Sequence, residues 1–415
     1  MKSRNFILTH AAVFAAGAAL ALLTHGPLAN PFGGDADAAA RADSSHGDTG
    51  TGSDDRSAAL RDRREGKSAR AHSNEPAPKR LAAIALIADP LERQAALMEL
   101  LGRLAPGDFA AVAEQYRSID HYGDSRGEYD LILRTWAKAD PLAALTYTEN
   151  QPNNGRDTST ILASWAGKDA AAAEHWALDH HTGDGPNPYL VSVIRGIAAY
   201  DIGHASELAQ AMPSSRERGM AVDSITRALM MQGTDAAMAF PASIQDPALR
   251  AGFVASVADR LAAKDPAQAA TWLASSTDAE SQTGAARSVG QALAKNDPTA
   301  ATQWLQKLQP TAQAEAARGI IPVMSSDDIA KTATWASSLV GIPNYDKVVE
   351  EFVWSCDNRA PEQSAAWIQS VTDPDQRRRL YYSMLGEWAK RDAAAVKTWV
   401  SSNAVPADVL RRFSH

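Results

Sequence analysis

One group of side chains, between His175 and Asp184, has residue types that could bind a metal ion. His175 and Asp179 are four residues apart, so they share a face if the segment is helical, and two more histidines follow directly. Imidazole and carboxylate groups are zinc ligands. The same residues also suit the polar end of a helix, where histidine complements the helix dipole, and we favour that interpretation. The candidate metal ligands are His175, Asp179, His180, His181 and Asp184.

No other segment carries a recognisable catalytic signature. The sequence lacks H-E-x-x-H, G-x-S-x-G, a Walker loop, an EF-hand loop and C-x-x-C. Its single cysteine, Cys356, excludes an internal disulfide framework and a cysteine-based zinc cluster. The formal net charge of −8 argues against a nucleic-acid surface, which is normally basic. We therefore expect a protein without catalytic activity, cofactor or nucleic-acid partner.

The elements that would position any site come from an internal repeat. In each clear copy an aspartate is followed seven residues later by an aromatic residue, and the copies recur about every 32 residues. The clear pairs are Asp140 and Tyr147, Asp169 and Trp176, Asp265 and Trp272, Asp297 and Trp304, and Asp392 and Trp399. Weaker copies lie at Asp108, Asp201, Asp235, Asp328 and Ala360.

Each copy predicts two antiparallel helices. Aspartate is a favoured N-cap, and the proline that often follows it suits the first helical position, so a second helix begins at the aspartate. A first helix ends just before the aspartate. Its last turn contains an apolar residue four positions before the aspartate, such as Trp136 or Leu261, and a lysine between that residue and the aspartate. The repeat tryptophans then fall on the apolar stripe, which indicates core packing rather than sugar stacking. Trp354 lies out of this phase, and we expect it to be exposed.

Two-helix units of this kind cannot bury a core alone, but stacked units can share one. The sequence thus predicts an all-α, right-handed solenoid of about ten two-helix repeats over residues 81–415. The pattern W-A-x-x-D-P-x-A-A-x-x-W resembles arrays in uncharacterised exported bacterial proteins, and it is similar in general plan to tetratricopeptide and HEAT-type repeats. The tetratricopeptide Leu-Gly and Tyr positions are absent, so no ligand-binding residues are carried over.

The amino terminus predicts export. Lys2 and Arg4 precede an apolar run from Phe6 to Leu23, which is typical of a secretory signal and is also long enough to span a bilayer. Residues 1–29 are therefore a signal peptide or an uncleaved signal anchor, and the repeats lie in the periplasm or elsewhere outside the cytoplasm. Residues 30–80 have almost no large apolar side chain and predict a disordered linker.

The leading functional hypothesis is a scaffold that binds a protein partner. Five of the nine methionines lie in the middle of the array, and methionine suits surfaces that adapt to varied partners, although a loosely packed core would explain them too. The candidate partner-binding residues are Met212, Met220, Met230, Met231 and Met238. Two alternatives remain: a polysaccharide-active enzyme on a closed helical toroid, and a metal-binding module that uses the histidine loop.

Overall fold

The computed structural model describes residues 75–119, 126–151, 154–276, 278–356 and 358–414, and this part of the chain is all-helical. Every described residue lies in one compact unit, residues 74–415. The helices are α1 (Ala77–Ala85), α2 (Pro90–Gly102), α3 (Phe109–Ser118), α4 (Arg126–Ala139), α5 (Pro141–Glu149), α6 (Gly155–Ala166), α7 (Ala170–Asp179), α8 (Pro188–Ile197), α9 (Ile202–Ala211), α10 (Arg216–Gln232), α11 (Thr234–Ala239), α12 (Pro247–Lys264), α13 (Pro266–Ser276), α14 (Ala279–Asn296), α15 (Pro298–Leu305), α16 (Pro310–Asp327), α17 (Ile329–Ser337), α18 (Tyr345–Cys356), α19 (Pro361–Ile368), α20 (Pro374–Ser402) and α21 (Ala407–Phe413).

The predicted aspartate caps are confirmed at all five clear copies. Asp140, for example, accepts a hydrogen bond from the backbone N–H of Ala143 at 3.0 Å, and Asp297 accepts one from Ala300 at 2.9 Å. Each cap has an extended backbone, so the chain turns sharply between the two helices of a unit. Asp392 also has a non-helical backbone, so α20 consists of two helices that are joined by a kink at this residue. The other aspartates that cap a second helix in this way are Asp169, Asp201, Asp265 and Asp328.

Two of the weaker copies are not capped by the predicted aspartate. The N-cap of α11 is Gly233, two residues before Asp235, with φ of 141° and ψ of 152°. This positive φ is open to glycine and strained for other residues, so a glycine replaces the aspartate here. With Gly233 as the cap, the spacing to Asp201 and Asp265 is 32 residues on both sides. Asp108, in turn, ends a short 3-10 helix and its side chain caps nothing.

The core follows the repeat positions. The side chain four residues after each cap is fully buried, as at Ala144, Ala269 and Ala301. The apolar residue four positions before each cap is buried as well, including Trp136 and Cys356. Small residues at the first of these positions let neighbouring helices approach closely, and large ones at the second fill the space between them.

Each helix packs mainly on helices of its own unit and of the adjacent units. The first helices of consecutive units, α6, α8, α10, α12, α14, α16 and α18, each contact the next one in that series. The second helices, such as α13 and α15, lie against the first helix of their own unit and of the following unit. In the series from α6 to α18, each first helix between the two ends therefore packs against the first helices before and after it.

The predicted signal segment and most of the predicted linker fall outside the described residues. The first described helix begins at Ala77, four residues before the predicted start of the repeats. Among the helices that the structure describes, none has the length and apolar character needed to cross a bilayer.

Candidate functional site

The histidine-rich segment forms the end of α7 and the loop after it. His175 Nδ1 lies 2.8 Å from a carboxylate oxygen of Asp179. His180 Nδ1 lies 2.9 Å from the Trp176 carbonyl oxygen, and His181 Nε2 lies 2.8 Å from that of Gly185. Asp184 is exposed in the same loop. Three of these side chains are thus directed at local partners rather than at one point.

The described part of the chain brings no three histidine, cysteine, aspartate or glutamate side chains together in a way that could hold a metal ion. The candidates His175, Asp179, His180, His181 and Asp184 therefore do not assemble into a metal site.

The five candidate methionines divide into two groups. Met212 is buried, and Met230 and Met238 pack against the core, so these three fill space between units. Met220 and Met231 are exposed, at 49% and 86% of their surface. Both lie on α10, but only Met220 lines a groove. The cluster seen in the sequence is therefore two surface methionines and three core methionines.

A groove of about 960 Å³ lies across the first helices of three consecutive units, α6, α8 and α10. Its polar lining includes Ser159, Ser192, Arg195 and Arg227. Its apolar lining includes Trp176, Tyr189, Val191 and Met220. A ligand in this groove would contact three units at once.

The histidine loop shapes one wall of this groove. His180 stacks on Trp176 with ring centroids 4.1 Å apart, and Tyr189 meets the same indole edge-on at 5.3 Å. Asn187 donates a hydrogen bond to the Ala177 carbonyl at 2.7 Å and caps α8 through the N–H of Tyr189. The loop therefore fixes the two aromatic rings that face the groove.

Arg195 is one of three arginines that line the groove, with Arg216 and Arg227. Its Nη2 donates hydrogen bonds to the Ser159 carbonyl oxygen at 2.7 Å and to the Ser159 hydroxyl at 3.0 Å. The Ser159 hydroxyl lies 2.7 Å from that of Ser192. These contacts hold the guanidinium against α6, while its surface remains accessible to solvent.

The charges around Arg195 do not neutralise it. Burial between the groove walls lowers the pKa of Arg195, and the positive charges of Arg134 and Arg227 lower it further. Asp130 opposes this shift, but its carboxylate already lies 3.2 Å from Arg156 and 3.7 Å from Arg126. Within the described residues, neither Arg134 nor Arg195 forms an ion pair.

Other arginines on the first helices are paired. Arg227 donates to Asp223 at 2.8 Å, and the same carboxylate also accepts from Arg260. Arg287 on α14 reaches past α16 to Glu351 on α18 at 3.0 Å, where Arg318 joins it at 3.3 Å. Arg227 and Asp223 both lie on α10, whereas the contacts of Arg260, Arg287 and Arg318 link helices of different units, which is a structural role. Arg195 differs from them because it forms no ion pair within the described part of the chain.

Sequence reasoning missed this arginine cluster, although the repeat contains a signal for it. Arg134, Arg195 and Arg227 each lie six residues before a second-helix cap, at Asp140, Asp201 and Gly233. Aligning the units on their caps places the three arginines at one register position, which is exposed at all three. Trp354 occupies the same position before Ala360 and is 43% exposed, which confirms the predicted exposure.

Comparison with protein-family models, with curated proteins and with solved structures finds no significant match for this chain.

Proposed function

We propose that this protein is an exported, right-handed solenoid of about ten two-helix repeats whose central groove binds a segment of a partner protein. The solenoid is supported by the regular caps and by the packing of each first helix on the next one. Export is supported by the basic start and apolar run of residues 2–23. The helical array lies in the periplasm, either anchored by that run or released from it.

The main observation that supports the binding function is the groove on α6, α8 and α10. It combines an aromatic wall, a flexible apolar side chain at Met220 and an uncompensated cation at Arg195. Protein-binding sites are typically built from a few rigid aromatic or arginine anchors, with polar groups that fix the register. Methionine adds adaptability to such a surface.

Among the alternatives, hydrolysis of a polysaccharide is less well supported by the contacts of the groove. A glycosidase needs two carboxyl groups free to act as acid and base or nucleophile. Of the three carboxylates that line the groove, Asp223 is not free for this role, because it is held by Arg227 at 2.8 Å and also by Arg260; the pair that remains is Glu149 and Glu217. A carboxylate shared between two arginines is suited to linking α10 to α12.

The test uses two exposed methionines on the same helix. Fragments of the producing organism's genome are displayed as peptides and selected on the folded protein. Enriched peptides should bind at least tenfold more weakly to Met220→Glu, because the new charge is placed in the apolar part of the groove. Met231→Glu is the matched control, since Met231 is exposed outside the groove lining.

Enrichment of peptides that bind both variants equally well would contradict the proposed groove. Loss of binding in both variants would indicate the broader methionine surface on α10 instead. Thermal unfolding of each variant shows whether the fold is intact, and we expect both midpoints to stay near that of the unmodified protein.

A further inference from the structure

We propose that Arg195 is a carboxylate anchor: the groove takes an extended peptide segment whose acidic group pairs with this guanidinium while a neighbouring apolar side chain lies against Tyr189 and Met220. This inference rests on the proposed function, because it names the chemistry of the segment that the groove would bind.

The unused donors of Arg195 are the first argument. A guanidinium has five N–H donors in a planar fork. Both hydrogen bonds of Arg195 use Nη2 and go to Ser159. Nε and Nη1 have no acceptor among the described residues. With Ser159 holding Nη2 in place, Nε and Nη1 can each donate a charge-assisted hydrogen bond to an incoming carboxylate.

The charge balance is the second argument. The molecule carries a formal net charge of −8, yet Arg195 lies beside two further arginines. The carboxylates that line the groove, Glu149, Glu217 and Asp223, form no ion pair with it in the described structure. A cation without a counter-charge gains more from an incoming anion than an arginine that already has a partner.

The position of the cation is the third argument. Arg195 and Tyr189 lie on α8, and Met220 lies on the adjacent helix α10. An apolar surface on the same groove as the charge selects a peptide that has an acidic and an apolar residue close together. Inorganic phosphate would use the charge but not this surface.

The experiment selects random peptides from two displayed libraries. In one library the random segment ends in a free carboxyl group, and in the other a linker follows it. Enriched peptides are synthesised and titrated against the unmodified protein and against Arg195→Gln. Arg379→Gln is the control, because it removes an equal charge from an exposed arginine on α20.

We expect an aspartate or glutamate at a fixed position, or a terminal carboxylate, next to an apolar residue. Arg195→Gln should weaken binding by about 10- to 100-fold, the range for a charged hydrogen-bonded pair, and Arg379→Gln by less than about twofold. Arg195→Lys, which keeps the charge and loses the fork, should show an intermediate loss. Enrichment from the linker library identifies a side-chain carboxylate, and enrichment from the free-ended library alone identifies the terminal one.

The contradicting results are distinct for the two proposals. Peptides that bind in a Met220-dependent way but carry no acidic group, or that ignore Arg195→Gln, would overturn the carboxylate anchor and leave the binding function standing. If neither library yields peptides whose binding depends on Met220, both proposals fail. If an oligouronate binds in an Arg195-dependent way and no peptide does, the ligand of the groove is a polysaccharide and not a protein segment.

Discussion

At the scale of single residues, Trp304, seven positions after its cap, connects one unit to the preceding one. Trp304 donates its indole N–H to the Ala270 carbonyl oxygen in the unit before it, at 2.7 Å. Trp304 is 4% exposed, whereas Trp272 is half-buried and Trp176 lines the groove. The sequence correctly indicated core packing at this position. It did not reveal that part of some rings remains at the surface, because that depends on the side chains of the next unit.

Alanine substitution of three tryptophans should therefore give three different costs. Trp304→Ala should lower the free energy of unfolding by about 3–5 kcal/mol, as for a large buried aromatic. Trp272→Ala should cost less, since part of its ring is already exposed. Trp354→Ala, at a residue that is 43% exposed, should change stability by less than about 1 kcal/mol. Denaturant titration measures all three, and equal losses would contradict this order.

The capping carboxylate of Asp278 makes the stability of the protein depend on pH. The backbone N–H of Ser281 lowers the pKa of Asp278, and the side chain of Arg250 lowers it further by donating a hydrogen bond at 3.0 Å. A carboxyl whose pKa is lower in the folded state stabilises the fold above its unfolded pKa of about 3.9. That contribution is lost as the pH falls through the lower pKa of the folded protein.

Replacing Asp278 with asparagine should remove this dependence. Asparagine is also a good N-cap, so Asp278→Asn keeps the hydrogen bond and loses the charge. We expect the variant to be less stable than the unmodified protein at pH 7 and the difference to shrink below about pH 4. Asp184→Asn, at an exposed loop residue, should change stability at neither pH. A constant difference across the titration would contradict this account.

At the scale of helices, close packing depends on small residues where first helices approach each other. A Cβ at Gly319 on α16 would lie 2.0 Å from the Arg287 carbonyl oxygen on α14. Backbone atoms cannot move aside as a flexible side chain can, so this position requires glycine. By contrast, a Cβ at Gly386 on α20 would meet nothing within 4 Å.

These two glycines give a matched pair of substitutions. Gly319→Ala should lower the free energy of unfolding by about 1–3 kcal/mol or more, because it forces α14 and α16 apart. Gly386→Ala should raise it by about 0.5–1 kcal/mol, because alanine loses less entropy in a helix. Thermal or denaturant unfolding gives the sign of each change. Destabilisation at Gly386 or tolerance at Gly319 would contradict the described helix contacts.

Most element boundaries could be predicted from the sequence because they depend on local chemistry. Asp140 and Asp297 with their following prolines indicated where helices begin, and the structure confirms both. Gly233 was missed because its role depends on a positive φ rather than on a side chain. The groove could not be predicted, since Ser159, Arg195 and Met220 lie on three helices and come together only when the units stack.

At the scale of the whole molecule, the proposal is an open array rather than a closed ring. Spin labels at Met98→Cys on α2 and Arg411→Cys on α21 would measure the distance between the first and last units, and the buried Cys356 should remain unlabelled. An open solenoid predicts that the labels are far apart. A short, narrow distance distribution would favour the toroid and with it the polysaccharide enzyme.

The central claim is that a polypeptide partner occupies the groove of α6, α8 and α10. A photoreactive benzoylphenylalanine in place of Tyr189, which lines the groove, tests it in the producing cell. The control places the same group at Tyr200, which is 56% exposed and outside the groove lining. We predict a covalent adduct at position 189 with one defined segment of one protein, lost with Met220→Glu and absent at position 200. No adduct at position 189, or the same adducts at both positions, would contradict the account.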